Sequence, residues 1–457
     1  MVENKANDRV KGNLKCGILF LAIPVLLGLS ISFYFNSVQR AKIAPNLSNH
    51  PVVVKENLIP MDVAKDLLDI IVKFQNYTSN VDQSKAQGFE PLYEDIGEAQ
   101  PINEDGTCTH RFLFPNAKKT KCIPPQRVDI GKHYVMTGGI DGAKESYQDL
   151  VDRVSSFGRY TFISDIDEHP AVKKLFESDA FQDAAKSICP MEKKHLNPFQ
   201  FNFIIQVPGQ TVALHIDSPY FWGASRFEFP QWLIVAMVFS NLFTEKFIDQ
   251  VQVVGYLHQW DAIGQGGEFV WYNNDTSFES VLPKPNSGSI VDGSKVLHAS
   301  KVYRPEVKAP HLDKNKDSVL RFVGDNKWVI QSDDEIIQNY KTDDLRIAIV
   351  YRARCFKDEE EVKKYNDYEE KIKNKNYENV LELSGILDTF INDLIQRKLL
   401  THDNKNDISK LDLAFLIIDT YIQYPLPPVQ FAQIPYNYCA LALKYPFTKH
   451  FLKYVCN

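Results

Sequence analysis

The chain has 457 residues, 44% of them hydrophobic and 24% charged. This is the composition of a globular protein with length enough for two or three domains, or one elaborated domain, around a buried core. A formal net charge of -6, with no long basic stripe, argues against a nucleic-acid surface.

In chain order, residues 1–15 form a basic cytosolic tail with Lys5, Arg9, Lys11 and Lys15. Residues 16–35, CGILFLAIPVLLGLSISFYF, are 20 uncharged residues, enough to cross a bilayer as a helix despite Pro24 and Gly28. Only Arg40 and Lys42 follow closely, so the basic excess keeps the N-terminus cytosolic and sends the remainder across. A cleaved signal peptide is the alternative, but no small-x-small site follows the apolar core. Residues 36–57, with Pro45 and Pro51, read as a polar stalk.

Residues 58–195 read as a helical and loop region. Apolar residues at helical spacing predict a helix over 62–74, and further helices are expected at 143–155 and 171–187, the last begun by Pro170. From 196 to 356 the pattern becomes strands, at 201–207, 211–215, 233–239, 251–257, 268–272, 289–292, 295–299 and 345–351, with an extra hairpin at 320–322 and 327–331. Residues 357–457 turn helical again, opening with a charged, solvated helix face at 357–375. The apolar stretch 411–424 contains Asp412 and Asp419 and is too short to span a membrane.

Cys16 lies in the apolar segment, and the other six cysteines are Cys108, Cys122, Cys189, Cys355, Cys439 and Cys456. An oxidising compartment allows three disulfides; Cys108–Cys122 and Cys439–Cys456 are the natural short-loop pairs, leaving Cys189 with Cys355, while six unpaired buried thiols are the other reading. Asn46, Asn76 and Asn274 open N-glycosylation triplets on the expected lumenal side.

The chemistry-bearing feature is the triplet His215-x-Asp217 at the end of a strand-like run, with His298 closing a later one. Alternate strand residues share a face, so the triplet can point at one ion. Two neutral imidazoles and one carboxylate on one face of an octahedral metal leave three positions open, the arrangement of non-haem Fe(II) oxygenases. A bland alternative makes His215 a half-buried core histidine and Asp217 a cap on the Ser218-Pro219 turn. His258 and His311 are further candidate ligands that read better as core or rim residues. Trp222, Trp232, Trp260 and Trp271 read as core.

After the triplet come Gly255-Tyr256-Leu257-His258, then Gly266-Gly267-Glu268-Phe269-Val270-Trp271-Tyr272. The glycine turns at Gly288 and Gly293, then Val296-Leu297-His298 and Leu345-Arg346-Ile347 follow. This order resembles the Fe(II)/2-oxoglutarate-dependent dioxygenases, particularly the prolyl-hydroxylase-like branch, over roughly half the chain. The resemblance implies an α+β fold with a double-stranded β-helix (jelly-roll) core at 196–356, flanked by helices. It implies His215, Asp217 and His298 as iron ligands, Fe(II) and 2-oxoglutarate as cofactors, and ascorbate as reductant. Arg346 is the candidate for the distal carboxylate of 2-oxoglutarate, because a guanidinium fork matches a carboxylate. Lys308 and Lys327 are alternatives, Lys308 by its spacing beyond His298 and Lys327 by the Gly-x-x-Lys-Trp around it.

The expected protein is a type II membrane dioxygenase of the endoplasmic reticulum or Golgi. Its catalytic domain is lumenal and hydroxylates a proline or lysine of secretory-pathway proteins or another lumenal substrate. Two rivals are a Golgi-type glycosyltransferase using Asp165 and Asp167, and a non-catalytic β-sandwich ectodomain. Nothing in the sequence sets the oligomeric state or the role of the C-terminal helices.

Overall fold

In a computed structural model the described residues are 43–79, 100–106, 108, 113–115, 120–123, 152–161, 168–225, 228–273, 278–313, 316–373, 381–401 and 407–423. The expected helix over 16–35, the Asp165/Asp167 pair, Asn274, Cys439 and Cys456 lie outside them, as does most of the helix expected at 143–155. Among the described residues no helix is long and apolar enough to cross a membrane.

The fold is mixed α and β, built on large antiparallel sheets. The strands that position the site are β1 (Val52–Lys55), β2 (Asn76–Ser79), β3 (Phe157–Thr161), β4 (His195–Gln206), β5 (Val212–His215), β6 (Gln250–Tyr256) and β7 (Phe269–Tyr272). They continue with β8 (Phe278–Val281), β9 (Gly288–Val291), β10 (His298–Ser300), β11 (Ser318–Gly324), β12 (Lys327–Ser332), β13 (Glu335–Lys341) and β14 (Arg346–Phe356). Ten form one sheet in the order β1-β9-β6-β14-β4-β3-β2-β11-β12-β13, and four form a second in the order β8-β7-β10-β5. The helices are α1 (Met61–Phe74), α2 (Pro170–Glu177), α3 (Asp179–Ile188), α4 (Gln231–Ser240), α5 (Glu359–Lys373), α6 (Leu383–Gln396) and α7 (Lys410–Tyr421).

Period-2 alternation decides what each face of the long sheet does. Phe201, Phe203 and Ile205 of β4, Val251 and Val253 of β6, and Ile347, Ile349 and Tyr351 of β14 join one core with Val63, Leu67 and Ile71 of α1 and Leu175 and Phe181 of α2 and α3. Each such buried side chain contributes about 1.5–3 kcal/mol. The intervening residues, among them Gln200, Asn202, Gln252, Tyr256, Arg346 and Arg352, belong to the opposite face, which is polar and faces the second sheet. A second core lies beyond that sheet: Leu214, Val270 and Leu297 pack with α4, and α4 packs with Ile386, Phe390, Leu413 and Ile417 of α6 and α7.

Several expectations need correction. Residues 233–239 are helical, within α4, rather than a strand. Every residue from Trp232 to Ser240 is buried, so apolar periodicity carries no signal there; Pro230 at the N-cap and Asn241 in the left-handed conformation at the C-cap mark the helix instead. The stretch expected at 171–187 is two helices, because Ser178 is extended (φ -70°, ψ 133°) and its hydroxyl caps the second, accepting from Phe181 N at 3.4 Å. The described end of the expected stalk is folded: Ile43 and Leu47 are buried and Val52–Lys55 pairs with β9. Of the strand expected at 295–299 only its end belongs to β10, and β13, exposed along most of its length, carried no apolar alternation to announce it.

Two of the expected disulfides are present, Cys108–Cys122 and Cys189–Cys355. Asn46 is engaged internally, its Nδ2 donating to Val238 O at 2.7 Å, whereas Asn76 is exposed on β2 and accepts from Arg321 Nε at 2.9 Å.

Candidate metal centre

His215 and His298 are directly opposed across the β5–β10 pair, with their rings 4.3 Å apart between centroids. Asp217 follows two residues beyond β5, where its N–H donates to Gly293 O at 2.7 Å. One ligand atom from each of His215, Asp217 and His298 lies within 4.8 Å of the other two. His215 Nε2 stands 3.6 Å from Asp217 Oδ1.

Both histidines are oriented in the same way. His215 Nδ1 is 2.8 Å from Ala213 O, and His298 Nδ1 is 2.8 Å from Val296 O. A carbonyl only accepts, so each Nδ1 carries a proton, and in the neutral ring Nε2 presents its lone pair to the shared space. This outer hydrogen bond is what fixes the tautomer of metal-ligating histidines. Burial, with His215 alongside, pushes His298 down to about 4, so it is neutral near pH 7. Burial opposes the charge on Asp217, but the Arg352 guanidinium and the neighbouring imidazoles outweigh it and hold the carboxyl well below the usual carboxylate range.

The pocket for Asp217 depends on Gly293: a Cβ there would stand 2.1 Å from Asp217 Oδ2. Oδ2 is buried and has no hydrogen-bond partner among the described residues. Two imidazole Nε2 atoms, an ionised carboxylate and a cradle that admits it fit a divalent first-row cation.

Arg346 opens β14 on the polar face and is buried. Its Nη1 donates to Gln206 Oε1 at 2.5 Å, its guanidinium lies 5.1 Å from the Tyr256 ring, and its Nε and the Gln206 Nε2 have no partner among the described residues. No carboxylate among the described residues pairs with it. Gly267 makes room for it, since a Cβ at that position would be 3.0 Å from both Arg346 Cδ and Nε. Glu268 acts on Arg346 electrostatically without a direct ion pair, and an anionic ligand would relieve the cost of burying the cation. The alternatives, Lys308 and Lys327, are exposed.

His258 and His311 stay apart from the triad. His258 lies between Ile347 O (3.3 Å) and Pro283 O (2.7 Å) and stacks on Trp260, while His311 Nδ1 bonds Asp152. Trp232 and Trp271 are buried; Trp222 and Trp260 are half-buried.

Two contributors escaped the sequence reading, as did the cradle role of Gly293, named there only as a glycine turn. Arg352 Nη2 donates to Asp217 Oδ1 at 2.5 Å, and Gln252 Nε2 lies 3.3 Å from His298 Nε2. Gly293 supplies the cradle. For Arg352 a signal existed: it is six residues beyond Arg346, an even number, and so shares its face.

No family model matches the chain, and no curated protein matches it. Solved structures similar to it include a prolyl hydroxylase from Trichoplax adhaerens in complex with a hypoxia-inducible-factor peptide fragment (9% identity, 69% of this chain and 87% of that one, TM-score 0.29). Others are a prolyl-4-hydroxylase from Pseudomonas putida (9% identity, 68% and 96%, TM-score 0.26), and a viral collagen prolyl hydroxylase from Paramecium Bursaria Chlorella virus-1 (12% identity, 44% and 78%, TM-score 0.22). The likeness is too remote to assign chemistry, which rests on the side chains described above.

Proposed function

We propose that the chain is an Fe(II)/2-oxoglutarate-dependent dioxygenase of the prolyl-hydroxylase-like branch. The observation that carries this reading is the convergence of His215 Nε2, His298 Nε2 and the Asp217 carboxylate, with both imidazole tautomers set by backbone carbonyls. In this reading the two facing sheets are the halves of a jelly-roll core, and His215, Asp217 and His298 bind the iron. Ferrous iron with 2-oxoglutarate supplies an oxidant able to place one oxygen atom of O2 into an unactivated C–H bond, with succinate and CO2 as coproducts.

The chain's own residues do the rest. Ala213 O and Val296 O hold each Nδ1–H, so both Nε2 lone pairs stay directed inward. Arg352 keeps Asp217 ionised within a buried site. Arg346, lacking a carboxylate partner among the described residues, binds the far carboxylate of 2-oxoglutarate, with Tyr256 and Gln206 fixing the guanidinium. The two sheets and the buried Phe269 and Trp271 exclude water from the reacting centre.

The reading extends to a type II membrane protein of the endoplasmic reticulum or Golgi, anchored through residues 16–35, that hydroxylates proline or lysine residues of secretory proteins, with ascorbate as reductant. The uncharged run behind four basic residues supports the anchor. Disulfides at Cys108–Cys122 and Cys189–Cys355 suit an oxidising lumen. The test is 2-oxoglutarate turnover by the wild type and by Asp217→Ala, followed by mass spectrometry of candidate secretory proteins for a gain of one oxygen. Equal turnover by the two proteins would remove the triad from the chemistry.

A further inference from the structure

A transverse polar row crosses the inner face of the long sheet beside the triad. Arg352 of β14 is in register with Gln252 of β6 on one side and Gln200 of β4 on the other. Its three nitrogens are shared out: Nε donates to Gln252 Oε1 at 2.8 Å, Nη1 to Gln200 Oε1 at 3.2 Å and Nη2 to Asp217 Oδ1 at 2.5 Å.

This arrangement fixes the Gln252 carboxamide. A guanidinium only donates, so the amide oxygen must face Arg352 and the amide nitrogen must face the other way. There it meets His298 Nε2 at 3.3 Å. The proton of His298 is on Nδ1, bound to Val296 O, so Nε2 has one lone pair and accepts from the amide. One lone pair cannot accept a proton and bind a cation at the same time. Meanwhile Arg352 places a positive charge directly on the carboxylate that would hold the cation.

We infer that Gln252 and Arg352 form a latch that competes with a divalent cation for His298 Nε2 and Asp217 Oδ1, so that loading the metal requires the Gln252 amide to turn away from the histidine. The inference rests on the reading of the triad as a metal site. It has a sign that an ordinary supporting role does not. Outer residues that merely orient ligands lose about ten- to a hundredfold in metal affinity when replaced. Removing a competitor strengthens binding instead.

The experiment is a calorimetric titration of the full chain with Mn(II), alongside thermal unfolding with and without the ion. The wild type is expected to bind one ion at a site lost in Asp217→Ala. Gln252→Met, close in shape but without the donor, is expected to bind about three- to tenfold more tightly, the worth of one hydrogen bond. Arg352→Gln frees the Gln252 amide and removes a like charge; the incoming cation takes over the guanidinium's part in keeping Asp217 ionised, and the variant is expected to bind at least about tenfold more tightly. Its melting temperature falls without the ion and gains more from it than the wild type does. This second variant reads the latch from its other side should Gln252→Met fail to fold. Equal or weaker binding by the folded variants, with wild-type binding intact, overturns the latch and leaves the metal site standing. A wild type that binds no Mn(II) overturns the metal-site reading and the latch with it.

Discussion

Gly293 and Asp217 touch so closely that any side chain at 293 would have to displace the Asp217 carboxylate. The Gly293 carbonyl accepts the Asp217 N–H at 2.7 Å, and a methyl group on its α-carbon would stand 2.1 Å from Asp217 Oδ2. A glycine far along the chain therefore decides where the carboxylate of the triplet points.

Gly293→Ala must displace the carboxylate, because the obstructing atoms belong to a short, buried side chain with little freedom to move. Overpacking of this kind costs about 1–3 kcal/mol. The expected result is a folded protein with a lowered denaturation midpoint and Mn(II) affinity reduced by about tenfold or more, checked by calorimetry.

Arg346→Met removes the buried guanidinium while keeping most of its apolar stem. The variant is expected to raise the 2-oxoglutarate concentration needed for half-maximal turnover by about tenfold or more, the worth of a charge-assisted pair. Mn(II) affinity measured without 2-oxoglutarate should stay at the wild-type value. A change in metal affinity with no change in 2-oxoglutarate dependence would remove Arg346 from the anion site.

Two buried histidines set the response to acid. Burial, with Arg346 nearby, lowers His258 to about 3, and burial, with His215 nearby, lowers His298 to about 4. Unfolded histidines take up protons below about 6.5, whereas these stay neutral in the folded chain. The unfolded state then binds more protons, so their contribution is complete above about pH 6.5 and is lost as pH falls toward the folded values. At about one unit below 6.5 each costs about 1.4 kcal/mol. Urea unfolding in the presence of chelator at about pH 7.5 and pH 5.5 measures the drop, and His258→Gln should remove roughly half of the part due to this pair.

The Cys189–Cys355 bridge joins the C-cap of α3 to the far end of β14 across 166 residues of sequence. Closing so long a loop restricts the unfolded chain strongly, and its loss is expected to cost about 2–5 kcal/mol. Cys355→Ala should lower the melting temperature of the otherwise oxidised protein, and the reduced wild type, which also loses Cys108–Cys122, should show at least as large a loss.

Met61–Phe74 was legible because its burial is one-sided, and the central strands because short apolar, β-branched and aromatic runs lie between turn residues, although both of their faces are buried. Met61–Phe74 and the central strands Gln250–Tyr256 and Phe269–Tyr272 were anticipated within a residue or two. Gln231–Ser240 was mistaken because it is apolar on every side: it lies between the four-stranded sheet and the C-terminal helices. Those helices cover α4, a packing role that their own residues did not disclose. Glu335–Lys341 was missed for the opposite reason, being exposed along nearly its whole length.

The sequence by itself determined which groups were available: an H-x-D triplet, a second histidine, a basic residue opening the last strand, and six cysteines beyond the apolar segment. These depend on residue type and local spacing, which a linear chain displays. Only the tertiary structure decided that His215 faces His298 across a strand pair, that Arg352 and Gln252 bear on their ligand atoms, and that Gly293 yields its space to Asp217. Those relations join residues tens of positions apart, and strand register and sheet packing create them.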